Sequence, residues 1–285
     1  MMTEQEASIT VDKLKKKALA IRKNILQSLA ASGSGHLGGS LGLADVFTVL
    51  YFNTMNHQPE NPRWPDRDRM ILSIGHVAPV LYATLAAAGY FPEEELLTLR
   101  KLGSRLQGHP GRDHGLPGLE LSAGSLGQGI SVAVGMAIAA KMDNKNYRIF
   151  SINGDGELQE GSVWEAAMSA SHHKLDKLTV IVDRNKLQID GMISQVMEIE
   201  PLKEKWEAFG WKVYECDGNN IIELIQTFEN IKNNSGKPSV LIANTIMGKG
   251  VKSIENNYNW HGKAPSPAEA KQFIEELLSS PTSKI

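Results

Sequence analysis

Five short runs of apolar, β-branched or aromatic residues, at 69–74, 147–152, 178–182, 211–216 and 239–245, constrain the fold of this chain more than any other feature. Helical patterns at 161–172, 201–209 and 221–233 separate the later runs. Strands alternating with helices build βαβ units, so the expected fold is α/β: a parallel sheet with helices on both faces. Further helices are predicted over 9–31, 43 to about 51, 77–88, 93–101, 127–141 and 267–278. The first is amphipathic, with Val11, Leu14, Ala18, Ile21, Ile25 and Leu29 at three- and four-residue steps and lysines between them. The segment 127–141 is rich in alanine and other small residues, suited to close packing.

A chain of 285 residues can hold two modest domains or one large one. No repeat and no break in composition divides it. It therefore reads as a single domain over 1–285, with a helical N-terminal arm (about 1–31) and a short C-terminal helix and tail (about 266–285). Loops rich in glycine and proline at 32–40, 107–118 and 247–267 are long for connectors, and long ordered loops in α/β domains are often functional. A formal net charge of -2 gives no reason to expect nucleic acid or an anionic membrane as a partner. Cys216 stands alone, so no intrachain disulfide or zinc-finger spacing exists, as suits a reducing compartment. The acidic, polar start is unlike a signal peptide, and no apolar run approaches the roughly 20 residues that span a bilayer. The expected location is the cytoplasm.

The chemistry concentrates after two of the strand patterns. Asn153-Gly154-Asp155-Gly156 follows one, and Asp183-Arg184-Asn185 follows the next. Asp155 and Asn185 lie 30 residues apart, about one βαβ unit. That spacing sets both beyond the carboxyl ends of parallel strands, where open α/β sheets bind ligands. A carboxylate and an amide oxygen are hard ligands, suited to Mg2+ or Ca2+ rather than zinc. Two protein oxygens do not fill an octahedron, so phosphate oxygens complete such a site. Gly154 and Gly156 carry no Cβ and let backbone amides approach a diphosphate. The helix from Gly161 could aim its N-terminal dipole at the same anion. Alone, Gly-Asp-Gly is an ordinary turn; the second ligand one crossover later argues for a site.

Two other glycine motifs carry less. Residues 33–38 match G-x-G-x-x-G literally, but a helical pattern precedes them and no acidic residue follows at the distance a dinucleotide site needs. Gly248-Lys249-Gly250 lacks P-loop spacing.

Taken together, Gly154-Asp155-Gly156, Glu160-Gly161, Glu165-Ala166 and Asp183-Arg184-Asn185-Lys186-Leu187 resemble the thiamine diphosphate motif in its transketolase form. The resemblance runs through Ser34-Gly35-His36, Gly75-His76, Gly108-His109-Pro110, Gly124-Ser125-Leu126-Gly127-Gln128-Gly129 and Trp260-His261-Gly262, which are similar to that family's histidine loops in their order. Leu37 and Ser125 stand where the family usually has proline.

The resemblance implies a ketol transferase using thiamine diphosphate with Mg2+, Ca2+ being possible. The metal would be held by Asp155, Asn185 and the carbonyl of Leu187. Cofactor contacts would come from those two side chains and from His76, Gly124, Leu126, Gly156, Glu160 and His261. His36 and His261 would assist proton transfer at the hydroxyl beside the cleaved carbon–carbon bond, and His109 would hold the donor's terminal hydroxyl. Neutral histidines suit that work because each ring offers one donor and one acceptor. His57, His114, His172 and His173 get no functional role. The family's second α/β domain, with its activating glutamate and sugar-phosphate grip, is missing. The implied partner is a separate C-terminal transketolase subunit carrying the pyrimidine-binding domain, in a heterotetramer. Pentose phosphates are the default sugar phosphate substrates. The alternatives are a subunit of a 2-oxo acid dehydrogenase or deoxyxylulose phosphate synthase type, or a non-catalytic cofactor-binding chain.

Overall fold

The computed structural model describes residues 4–279; the expected tail beyond them, and the first residues of the expected arm, lie outside the described residues. The chain begins with α1 (Glu4–Ser32), α2 (Gly38–Gly42) and α3 (Ala44–Val49), whose end widens into a π-helical turn at Leu50–Thr54. After β1 (Arg69–Leu72) come α4 (Ala78–Ala87) and α5 (Gln128–Met142). Next are β2 (Ile149–Gly154), α6 (Gly161–His172) and β3 (Leu178–Arg184). A small hairpin of β4 (Leu187–Gln188) and β5 (Gly191–Met192) leads to α7 (Ile193–Val196) and α8 (Leu202–Ala208). The chain continues through β6 (Lys212–Asp217), α9 (Ile221–Lys232), β7 (Ser239–Asn244) and α10 (Pro267–Ser279).

The main sheet has five strands in the order β1-β2-β3-β7-β6, all parallel. Its central strand β3 is buried at every position, as expected where helices cover both faces. Alternate residues serve two cores. Phe150, Ile152, Ile181 and Leu241 join side chains of α1, α3, α4 and α9. Ile149, Val180, Val182 and Ile242 join those of α5, α6 and α8. Residues of α1 from Leu14 to Leu29 are buried in the first core, and Arg22 on that helix forms an ion pair with Asp45 of α3 at 2.6 Å. The segment expected as an arm thus forms a wall of the core along these turns.

Two local expectations need correction. The helix predicted over 93–101 is a run of 3-10 turns at Glu93–Thr98. It cannot propagate because Arg100 takes a left-handed backbone, φ 60°, with its N–H bonded to the carbonyl of Leu106. The glycine-rich stretch expected as loop at 32–40 contains the start of α2. There the glycines serve close packing: a Cβ at Gly38 would lie 2.6 Å from Met247 Cγ, and one at Gly42 would lie 2.9 Å from the carbonyl oxygen of Ile246.

Candidate cofactor and metal site

Strands β2 and β3 are neighbours in register, with Gly154 opposite Asp183. Asp155 and Asn185 therefore emerge side by side at their carboxyl ends. Asp155 is 2% exposed, and its carboxylate accepts hydrogen bonds from the amides of Gly156 (2.8 Å) and Lys186 (2.6 Å) and from Arg184 Nη1 (3.3 Å). Asn185 donates to Asp183 Oδ2 (2.8 Å) while its Oδ1 accepts from the Leu187 amide (3.0 Å). Asp155 Oδ1 and Asn185 Oδ1 each accept one bond here and keep a second lone pair.

The electrostatics at this end favour a cation. Burial, with Asp183 alongside, pushes the Asp155 carboxyl up to about 7 despite the amides of Lys186 and Gly156 and the nearby Arg184. Burial pushes Asp183 up to about 6, against hydrogen bonds from Thr245 and Asn185. Arg184 is shared with Glu200, so it neutralises the pair only in part. Among the described residues no group of three or more His, Cys, Asp or Glu is arranged to hold a metal. A cation here would take one carboxylate, one amide oxygen and a backbone carbonyl such as that of Leu187, with the rest from its ligand. A hard divalent ion carrying a diphosphate fits that donor set.

The pair opens into a cavity of about 330 Å³ lined also by His36, His76, Gly124, Leu126, Gly156, Glu160, Leu187 and His261. The rings of His36, His76 and His261 form a triangle with centroids 5.0, 5.2 and 5.7 Å apart. They come from three distant places: the turn into α2, the turn before α4, and the segment after β7. Tight packing of α2 against Met247 and the carbonyl of Trp260 brings His36 to His261. His109 is not among the cavity's lining residues; its ring stands 6.3 Å from that of His36, one step outward.

Burial, reinforced by the other histidines, lowers His36 to about 4 and His76 to about 3. Burial lowers His261, and burial with Arg100 lowers His109. These rings are neutral near pH 7. The Nδ1 atoms of His36 and His261 are buried without a hydrogen-bond partner in the protein, as polar atoms awaiting a ligand would be. The remaining histidines are elsewhere: His57 is bonded to Tyr51 and Tyr90, and His114, His172 and His173 are exposed.

Three residues of the site do not stand out in the sequence. Asp183 and Arg184 figure there only as neighbours of Asn185, yet both are buried in the site's charge network. Glu157 has no place in the motif reading at all, although it is 2% exposed and lines the cavity. The exposed Glu160 and Glu165 lie in the same stretch, and nothing in residue type separates the buried glutamate from them. Its signal is position, in the turn straight after the end of β2.

Residues 14–284 match the family model described as transketolase, thiamine diphosphate binding domain. The chain is 46% identical to one subunit of the apulose-4-phosphate transketolase of Actinobacillus succinogenes, over 95% of this chain and 98% of that one. It is 44% identical to the 6-deoxy-6-sulfo-D-fructose transketolase subunit SqwG of a Clostridium species, over 97% and 98%. Human transketolase is 40% identical over 95% of this chain, which spans 43% of that longer protein. The crystal structure of Campylobacter jejuni transketolase superposes with a TM-score of 0.88 at 34% identity, covering 94% of this chain and again 43% of the other. A parallel sheet with this cavity, matched to separate subunits over nearly their whole length and to less than half of longer single-chain enzymes, places the chain in the transketolase family, as its thiamine diphosphate-binding, N-terminal subunit.

Proposed function

We propose that this subunit, with a second chain bearing the pyrimidine-binding domain, transfers a two-carbon ketol unit from a ketose phosphate to an aldose phosphate in the cytoplasm. One observation carries the reading: a single cavity has a cation-seeking end at Asp155 and Asn185 and an end of neutral imidazoles at His36, His76 and His261. Bound thiamine diphosphate supplies the electron sink for breaking and making the carbon–carbon bond. Asp155, Asn185 and the Leu187 carbonyl hold the divalent ion, Mg2+ or Ca2+, that neutralises the diphosphate. Gly156, Gly124, Leu126 and His76 border the cofactor. Glu160, exposed and on the cavity lining, is assigned to the subunit boundary beside the cofactor, a role taken from the family resemblance.

His36 and His261 take and return the proton of the hydroxyl beside the cleaved bond. Their depressed basicity keeps them neutral, so each can accept at one nitrogen and donate at the other. His109, one step outward, orients the donor's terminal hydroxyl. The partner is supported by Ile189, Met192, Val196 and Met197, which are exposed just beyond Leu187, with Ile189 itself on the cavity lining. Apolar side chains grouped in this way suit an interface.

The test is an assay of the purified chain with and without its partner, supplied with thiamine diphosphate and Mg2+. Because the two subunit relatives are named for different anionic sugars, the donor panel holds a pentulose phosphate, apulose 4-phosphate and 6-deoxy-6-sulfo-D-fructose. Ketol transfer is expected from the pair and not from either chain alone. Transfer by this chain alone would refute the two-chain reading, and no transfer from any donor by the pair would refute the activity.

A further inference from the structure

Glu157 faces the cavity yet offers it nothing, because the protein uses its carboxylate fully. Ser73 Oγ and the Gly127 amide (2.8 Å) donate to Oε1, while Asn153 Nδ2 (2.9 Å) and the Gly154 amide (3.1 Å) donate to Oε2. An ionised carboxylate has about four acceptor sites, and these four donors occupy them. Neither metal nor substrate has a lone pair left to bind.

The donors belong to three segments that meet at the cavity floor. Ser73 follows β1 and precedes Gly75-His76. Gly127 ends the turn that carries Gly124 and Leu126 and starts α5. Asn153 and Gly154 close β2 and precede Asp155. We infer that Glu157 is a positioning residue, the fastening that holds these three segments in register so that they form one cradle for the cofactor's diphosphate. This rests on the function proposed above.

The requirement is for charge, not size. A backbone N–H can only donate, and one faces each carboxylate oxygen: that of Gly127 at Oε1 and that of Gly154 at Oε2. In Glu157→Gln the new amide nitrogen must face the N–H of either Gly127 or Gly154, whichever way it turns. Two donors then oppose each other in a buried place, and the segment must move.

The experiment compares wild type, Glu157→Gln, Ser73→Ala and the double variant, each assembled with the partner chain. Calorimetric titration with thiamine diphosphate and Mg2+ should show affinity at least tenfold weaker in Glu157→Gln, with turnover at saturating cofactor within about threefold of wild type. Ser73→Ala, a milder change, should weaken affinity less, and should add little in the Glu157→Gln background because the pair acts as a unit. Amide hydrogen exchange without cofactor should rise at 73–77, 124–129 and 153–156 in Glu157→Gln. Unchanged affinity, or turnover lost with affinity intact, would overturn the inference. A wild-type complex that does not bind the cofactor would overturn the proposed function instead, and the exchange comparison would still decide whether Glu157 fastens the three segments.

Discussion

Asp155 is an almost fully buried carboxylate, with a second carboxylate beside it and one arginine shared with Glu200. The folded chain tolerates that charge poorly until a cation arrives. Asp155→Ala should therefore abolish metal-dependent binding of thiamine diphosphate, seen by calorimetry on the assembled complex, while leaving the fold intact. Unchanged affinity would remove Asp155 from the metal site. The histidines carry the opposite dependence on pH. Their folded values lie below the ordinary 6.5, so they contribute stability above pH 6.5 that is lost as pH falls toward about 4 for His36 and about 3 for His76. Asp155 and Asp183, raised in the fold, contribute below their ordinary value and lose it as pH rises through about 7 and about 6. The two slopes oppose each other in the wild type, and comparison with His76→Asn isolates the first. Urea titrations from pH 6.5 to 4 should show wild type losing stability relative to the variant, by at most about 1.4 kcal/mol per pH unit. No relative change would mean that His76 is not held neutral by the fold.

At the scale of elements, legibility in the sequence depends on periodicity. The strands and the later helices stand within a few residues of where apolar patterning places them, because a parallel sheet buried on both faces leaves continuous apolar runs. The adjacency of Asp155 and Asn185 is legible from the length of one crossover. Two things are not. A glycine-rich stretch looks like loop whether its glycines serve turns or tight packing, and only the neighbours at Met247 and Ile246 show that α2 needs them for contact. Glu157 is hidden because burial of a charged residue depends on donors contributed by residues as distant as Ser73. The part of α1 buried in the core has a measurable consequence. Ile25 is fully buried there, and Ile25→Ala should cost about 2–5 kcal/mol in urea unfolding, as truncations in packed cores do. A cost near zero would return α1 to the status of an appended arm.

For the whole molecule, the exposed apolar residues Ile189, Met192, Val196 and Met197 follow Leu187 closely, with Ile189 itself on the cavity lining. Two of these chains with two of the partner should give a defined two-plus-two mass by light scattering, since obligate interfaces commonly bury more than about 2,000 Å². A stable one-plus-one complex with full activity would exclude that assembly. The order of the strands carries a further consequence, one that concerns time. Arg69 pairs with Ile149 and Thr179 with Ser239, so each of these contacts waits for a long stretch of chain, and pairing of this kind is slow. His36 is made early, while His261 emerges only after every strand of the sheet has been synthesised. A ribosome-bound chain therefore lacks a wall of its pocket until Trp260-His261-Gly262 has been translated and has cleared the ribosome. The diphosphate end of the pocket, at Asp155 and Asn185, is translated first and the imidazole of His261 last, so whatever the growing polypeptide holds before that moment it holds without this wall.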